Sequence, residues 1–138
     1  MGEGYEIRQI SDFPPDAPDL YNAVGWSTYT ARPDFLPQAF RGSLCVLGAF
    51  EGEALVGILR AVGDGVSILF IQDLLVRPDR QRQGIGTALF QALTARYPNI
   101  YQLELLTDIN PATDAFYHSL GLQPAEDIGC RSYIKITY

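Results

Sequence analysis

The residues best suited to chemistry lie between Val76 and Thr87, where Val-Arg-Pro-Asp-Arg-Gln-Arg-Gln-Gly-Ile-Gly-Thr leads from an apolar run into a helical pattern. A helix start exposes unpaired N–H groups and a partial positive charge, and Gly84 and Gly86 let a bulky anion approach that backbone closely. The stretch can therefore hold a pyrophosphate, with Arg80 and Arg82 adding charge. A plain tight turn is the other reading of the same glycines. Two common nucleotide loops fail on residue type. A P-loop needs Gly-Lys-Ser or Gly-Lys-Thr, and a dinucleotide fold needs a third glycine plus an acidic residue after the next strand.

Other chemistries lack their parts. His118 is the only histidine and has no cysteine neighbours, so no metal site is expected. A Ser-His-Asp hydrolase cannot be assembled around that one imidazole without a G-x-S-x-G turn. Cys45 and Cys130 are far apart, each inside a strand-like apolar run, which predicts buried free thiols and a reducing compartment. Acidic side chains outnumber basic ones 16 to 10, a formal charge of −6. That balance argues against a nucleic-acid surface and mildly favours cationic small molecules. No stretch approaches the roughly 18 uninterrupted apolar residues of a membrane span, and Met1 to Ile10 carries no signal-type apolar region. No membrane partner is expected.

The chain must position that glycine loop with few elements. At 138 residues one domain, 1–138, is expected. Tyr5 to Ile10 alternates as a first strand, and prolines then punctuate a turn into a short helix near Leu20 to Val24. Pro33 suits the first turn of another short helix, which Gly42 closes. Ser43 to Phe50, Ala54 to Val62 and Val66 to Val76 read as three antiparallel strands joined by Glu51-Gly52-Glu53 and Gly63-Asp64-Gly65. From Gly84 to Tyr97 the period becomes helical, with Ile85, Leu89, Ala92 and Leu93 on one face. A strand over Ile100 to Leu106, a helix from Asn110 or Thr113 through Leu120, and a last strand over Cys130 to Tyr138 complete the pattern. A meander followed by alternating strands and helices implies a mixed α/β sheet with helices packed on it.

The segment Gln81-Arg82-Gln83-Gly84-Ile85-Gly86 resembles the acetyl-coenzyme A signature of the GNAT acetyltransferases, and Val76 and Pro78 fit that family's strand end and loop. Downstream, Asn110-Pro111-Ala112-Thr113-Asp114-Ala115-Phe116-Tyr117-His118-Ser119-Leu120-Gly121-Leu122 resembles the family's second cofactor segment, with Leu122 where a phenylalanine is usual. Gly25-Trp26-Ser27-Thr28-Tyr29 and Arg60-Ala61-Val62-Gly63-Asp64-Gly65 are similar to a subgroup of small bacterial members. The resemblance implies a central mixed, twisted sheet of about six to seven strands flanked by about four helices.

It also implies roles. Acetyl-coenzyme A would be gripped by Gln81, Arg82, Gln83, Gly84, Ile85, Gly86 and Thr87, by Asn110 and Tyr117, and by the backbone of Leu74, Leu75 and Val76. In the strand Ile71 to Val76 the resemblance implies a β-bulge that frees an N–H for the developing oxyanion. Tyr117 resembles the general acid that protonates the departing thiolate; packing on a helix face is the alternative. Asp73, beside the expected bulge, is a candidate to bind the acceptor's ammonium or accept its proton; a solvent-facing carboxylate or a partner for Arg60 is the alternative. Trp26, Tyr29, Arg60 and Asp73 are expected to line the acceptor pocket, although core aromatics and a hairpin ion pair explain the same residues.

The implied enzyme is a cytoplasmic N-acetyltransferase acting on a small-molecule primary amine by direct attack in a ternary complex. A non-catalytic acyl-coenzyme A-binding module and an acetyltransferase of protein amines are the alternatives. An uncovered edge at the last strand invites pairing into a homodimer.

Overall fold

The computed structural model describes residues 4–137 and divides into two compact units, Met1–Leu106 and Thr107–Tyr138. The first unit carries five strands: β1 Glu6–Gln9, β2 Cys45–Glu51, β3 Ala54–Gly63, β4 Ile68–Val76 and β5 Gln102–Leu105. They lie in sequence order; the first four pair antiparallel and β5 pairs parallel with β4. The helices of this unit are α1 Ala17–Ala23, α2 Ser27–Thr30, α3 Phe35–Arg41 and α4 Ile85–Arg96. A parallel pair requires a crossover, and α4 supplies it.

Each face of the sheet is covered. Val46, Ile58 and Leu75 pack with Ala17, Leu20 and Tyr21 of α1 and with Leu36 and Phe40 of α3. On the opposite face α4 buries Ile85, Leu89 and Leu93. Gly57 lets α4 come close: a Cβ there would stand 3.1 Å from Ile85 Cγ2 and 3.3 Å from Leu89 Cδ1. The β3–β4 turn is held by Asp64, whose Oδ1 accepts from the N–H groups of Val66, Ser67 and Ile68 while Oδ2 takes the Ser67 hydroxyl. Those bonds hold its carboxyl far below the usual range. Asp64 is thus a turn-builder, which accounts for the Gly-Asp-Gly sequence.

The second unit holds α5, Pro111–Ser119, and a 3₁₀ turn at Ala125–Ile128. Asn110 caps α5, its Oδ1 accepting from Thr113 N–H at 2.8 Å. Gly121, at φ +91°, closes it, with Leu122 N–H donating to the Tyr117 carbonyl.

Four expectations require correction. The sheet has five strands among the described residues rather than six to seven, with five α-helices rather than four. The strand expected over Cys130 to Tyr138 does not form across 130–137; Tyr138 lies outside the described residues. Tyr133, Ile134 and Ile136 alternate as a strand would, yet they are exposed. Alternation supplies one apolar face, but a strand also needs a neighbour to pair its backbone groups, and the described residues of the second unit contain none. Cys130, expected to be buried, is consequently exposed, whereas Cys45 on β2 is buried. No helix among the described residues is long and apolar enough to cross a membrane.

Candidate active site

The glycine loop leaves β4 at Val76, makes a 3₁₀ turn over Pro78–Arg80 and enters α4 at Gly84. Gly84 is the N-cap in the left-handed region, φ +84°, and Arg82 adopts the same region at φ +65°, unusual for a residue with a Cβ. Residues 81–84 are exposed, and the first N–H groups of α4 have no intrahelical partner. Two contacts brace the loop. Gln81 Nε2 donates to the Val76 carbonyl at 3.0 Å, and Arg80 Nε pairs with Glu51 Oε2 at 2.7 Å. That pairing lowers the Glu51 carboxyl. Arg80, expected to face an anion, is therefore shared between Glu51 and Asp79, and Arg82 is the exposed arginine of the loop.

β4 itself is irregular where the sequence resemblance expected it. Arg60 of β3 pairs with Asp73 and the next residue, Ala61, pairs with Ile71, so Gln72 is the extra residue of a bulge. Pairing to β5 covers only Ile68 to Ile71. Beyond that point Leu74, Leu75 and Val76 remain paired with Leu59, Ile58 and Gly57 of β3, while among the described residues no strand pairs with their other edge. The bulge and the ending of β5 together leave one edge of β4 without a strand partner among the described residues just before the glycine loop.

Behind the bulge lies a buried polar cluster. Asp73, 1% exposed, accepts on Oδ2 from Arg60 Nε at 2.7 Å and from the Tyr21 hydroxyl at 2.8 Å. Arg60 is itself buried, donates through Nη1 to Ser43 Oγ, and sits over the Phe40 ring at 6.0 Å. Asp73 Oδ1 is buried and finds no hydrogen-bond donor among the described residues. An acceptor left so costs about 1–3 kcal/mol. Burial is also the main cause that pushes the Tyr21 phenol far above its ordinary value, with the Asp73 charge adding to it. Tyr21 is the centre of an aromatic group, its ring 6.0 Å from Trp26 and 5.6 Å from Tyr29, with Phe35 5.6 Å beyond Tyr29. Gln72 Nε2 donates to the Tyr29 hydroxyl at 3.1 Å.

All four residues expected to line an acceptor pocket, Trp26, Tyr29, Arg60 and Asp73, are thus gathered at one place. The reading of Asp73 as a solvent-facing carboxylate is excluded, and its pairing with Arg60 is found. Tyr21 and Gln72 are members that sequence reasoning missed. The only sequence signal for Tyr21 was its place in the short first helix; Gln72 looked like any polar residue on a strand.

In the second unit Tyr117 is half-buried on α5, with its ring 5.0 Å from that of Phe116. Burial pushes its phenol up. His118 is exposed, 3.6 Å from Asp114.

The profile of the acetyltransferase (GNAT) family matches residues 7–122. The GNAT family protein SP0256 from Streptococcus pneumoniae TIGR4 is 36% identical, with a TM-score of 0.83 and 96% of each chain covered. A probable acetyltransferase, SA2161 from meticillin-resistant Staphylococcus aureus, shares the fold at 22% identity and a TM-score of 0.75, over 96% of this chain and 99% of that one. An aminoglycoside acetyltransferase, HMB0005, from an uncultured soil metagenomic sample shares it at 24% identity and 0.72, over 97% and 98%. No curated protein matches the chain.

Proposed function

This chain belongs to the GNAT acetyltransferase family, and we propose that it transfers the acetyl group of acetyl-coenzyme A to a primary amine of a small molecule, by direct attack with both substrates bound. One observation carries the reading: β4 loses its β5 partner after Ile71 and then runs, through a loop braced at Gln81 and Arg80, into a helix capped by left-handed Gly84. The residues present fit the donor. The edge of β4 from Leu74 to Val76, which no strand covers among the described residues, suits the amide-rich arm of a pantetheine, and the opening of α4 with Arg82, Gln83, Ile85, Gly86 and Thr87 suits a pyrophosphate.

Acetyl-coenzyme A supplies an acyl thioester, activated for attack by an amine. The chain supplies the rest. A β4 N–H donates to the thioester oxygen as negative charge grows there, a contribution that preorganised backbone donors make without rearranging. Asp73, at the bulge, binds the acceptor's amino group, while Trp26 and Tyr29 contact its carbon skeleton and Arg60 fixes the carboxylate. Tyr117 gives its proton to the departing sulfur. Its raised phenol stays protonated at neutral pH, as an acid must. Asn110 orders the start of the helix that carries it.

Titration calorimetry with acetyl-coenzyme A, followed by thiol release on a panel of small amines and on protein lysines, tests this reading. The expected result is binding with release that depends on a small amine. Binding with no acceptor-dependent release would instead make the chain an acyl-coenzyme A-binding module, and release only with protein lysines would move the acceptor class.

A further inference from the structure

The Asp73 cluster pairs one anion with one cation, and this decides in which protonation state an acceptor can bind there. Asp73 Oδ2 is taken twice, by Arg60 Nε at 2.7 Å and by the Tyr21 hydroxyl at 2.8 Å, while the equally buried Oδ1 has no donor among the described residues. From Asp73 and Arg60 alone the local charge is zero. The groups facing them add nothing to it: Tyr21 from α1 and Tyr29 from α2 are phenols raised by burial, and Ser43 and Gln72 are uncharged. Phe40 of α3 presents a ring.

Resting on the acetyl-transfer reading above, we infer that this cluster receives its acceptor as the free amine: Asp73 Oδ1 takes an N–H from the neutral amino group and is an anchor, not the base. The substrate class is a weakly basic primary amine on an apolar or aromatic skeleton. Two physical arguments select this state. A bound ammonium would be a second cation beside the buried Arg60 guanidinium, sharing one carboxylate that Arg60 already neutralises. A proton passed to Oδ1 would strip that guanidinium of its counter-charge in a place closed to water, since Arg60 is 6% and Asp73 1% exposed. A neutral amine meets neither cost and satisfies the orphan acceptor. Trp26, Tyr29 and Gln72 are the members of the cluster that reach solvent, and the two rings are where the amine's carbon skeleton lies.

The ammonium ion of the free acceptor loses its first proton to solvent before it binds. In the transfer the N–C bond forms and the C–S bond breaks; the nitrogen releases its further proton to solvent, and the sulfur takes the proton of Tyr117, which solvent then restores, so charge and protons balance.

The test uses the full chain, saturating acetyl-coenzyme A and a series of para-substituted benzylamines that differ in basicity, with kcat/KM followed against pH by thiol release. The expected result is an acid-side rise of about tenfold per pH unit whose end moves with the basicity of each amine. Rates recalculated on free-amine concentration then become flat on that side. Asp73→Asn, which keeps an acceptor oxygen, should lower kcat/KM yet leave each limb where the amine sets it. A limb fixed at one pH for every amine and removed in Asp73→Asn makes Asp73 the base and overturns the inference while leaving acetyl transfer intact. Absence of transfer to any amine overturns the underlying reading, and the inference with it.

Discussion

Arg60 on β3 and Asp73 on β4 face one another at the register shift opened by Gln72, with Nε 2.7 Å from Oδ2 and both side chains out of solvent. A bulge between strands therefore does two things at one point. It turns the carboxylate toward the aromatic group of α1 and α2, and it interrupts the ladder just before β4 loses its β5 neighbour.

Breaking this pair from one side should be costly. Asp73→Ala leaves a buried guanidinium uncompensated and is expected to lower unfolding free energy by about 3–5 kcal/mol. Replacing both partners, Arg60→Met with Asp73→Leu, should recover most of that loss in urea denaturation while abolishing transfer to amines. A double variant as unstable as Asp73→Ala would show that the pair is not the source of the cost.

Tyr21 ties α1 to the same carboxylate. Tyr21→Phe removes a hydrogen bond to a charged acceptor and should cost about 1.5–3 kcal/mol at neutral pH. The folded-state phenol is raised, so its stabilisation is complete below the unfolded tyrosine value of about 10 and is lost as pH climbs above that value toward the folded one. Melting temperature of the native chain should fall more steeply above that value than that of Tyr21→Phe; parallel alkaline slopes would refute the linkage.

Gly84 caps α4 at φ +84°, and only the Tyr5 hydroxyl, 3.9 Å away, lies near a Cβ placed there. The penalty of Gly84→Ala is therefore one of backbone conformation, about 1–2 kcal/mol. If the loop yields to it by changing shape, affinity for acetyl-coenzyme A should drop about tenfold, since 1.4 kcal/mol is a factor of ten. Calorimetry giving an unchanged Kd would separate this helix start from the diphosphate.

Tyr117→Phe keeps the ring that packs on Phe116 and removes only the proton. Turnover should fall by about 10²–10⁴ with acetyl-coenzyme A affinity retained. Because burial raises the phenol, activity of the native chain should persist to pH values above the ordinary tyrosine range before the acid is lost. Undiminished turnover in Tyr117→Phe would remove it from the mechanism.

Local patterns were enough to determine much of this protein. Four-residue apolar spacing from Ile85 to Leu93 dictated α4, Gly84 dictated where it could start, and prolines and glycines marked the turns around β2, β3 and β4. Each depends on a residue and its near neighbours, so each can be read along the chain. The pairing of Arg60 with Asp73 was legible as one of the alternatives for that carboxylate, since a hairpin brings such positions together. What tertiary structure decided were matters of partnership across long separations. Tyr21 reaches Asp73 over 52 positions, Arg80 finds Glu51 rather than an open loop, and Gln72 becomes a bulge only because β3 sets the register. The tail from Cys130 shows the converse: its alternating residues carry a strand's pattern, but a strand is completed by hydrogen bonds to a neighbour, and no neighbour is encoded in the residues themselves.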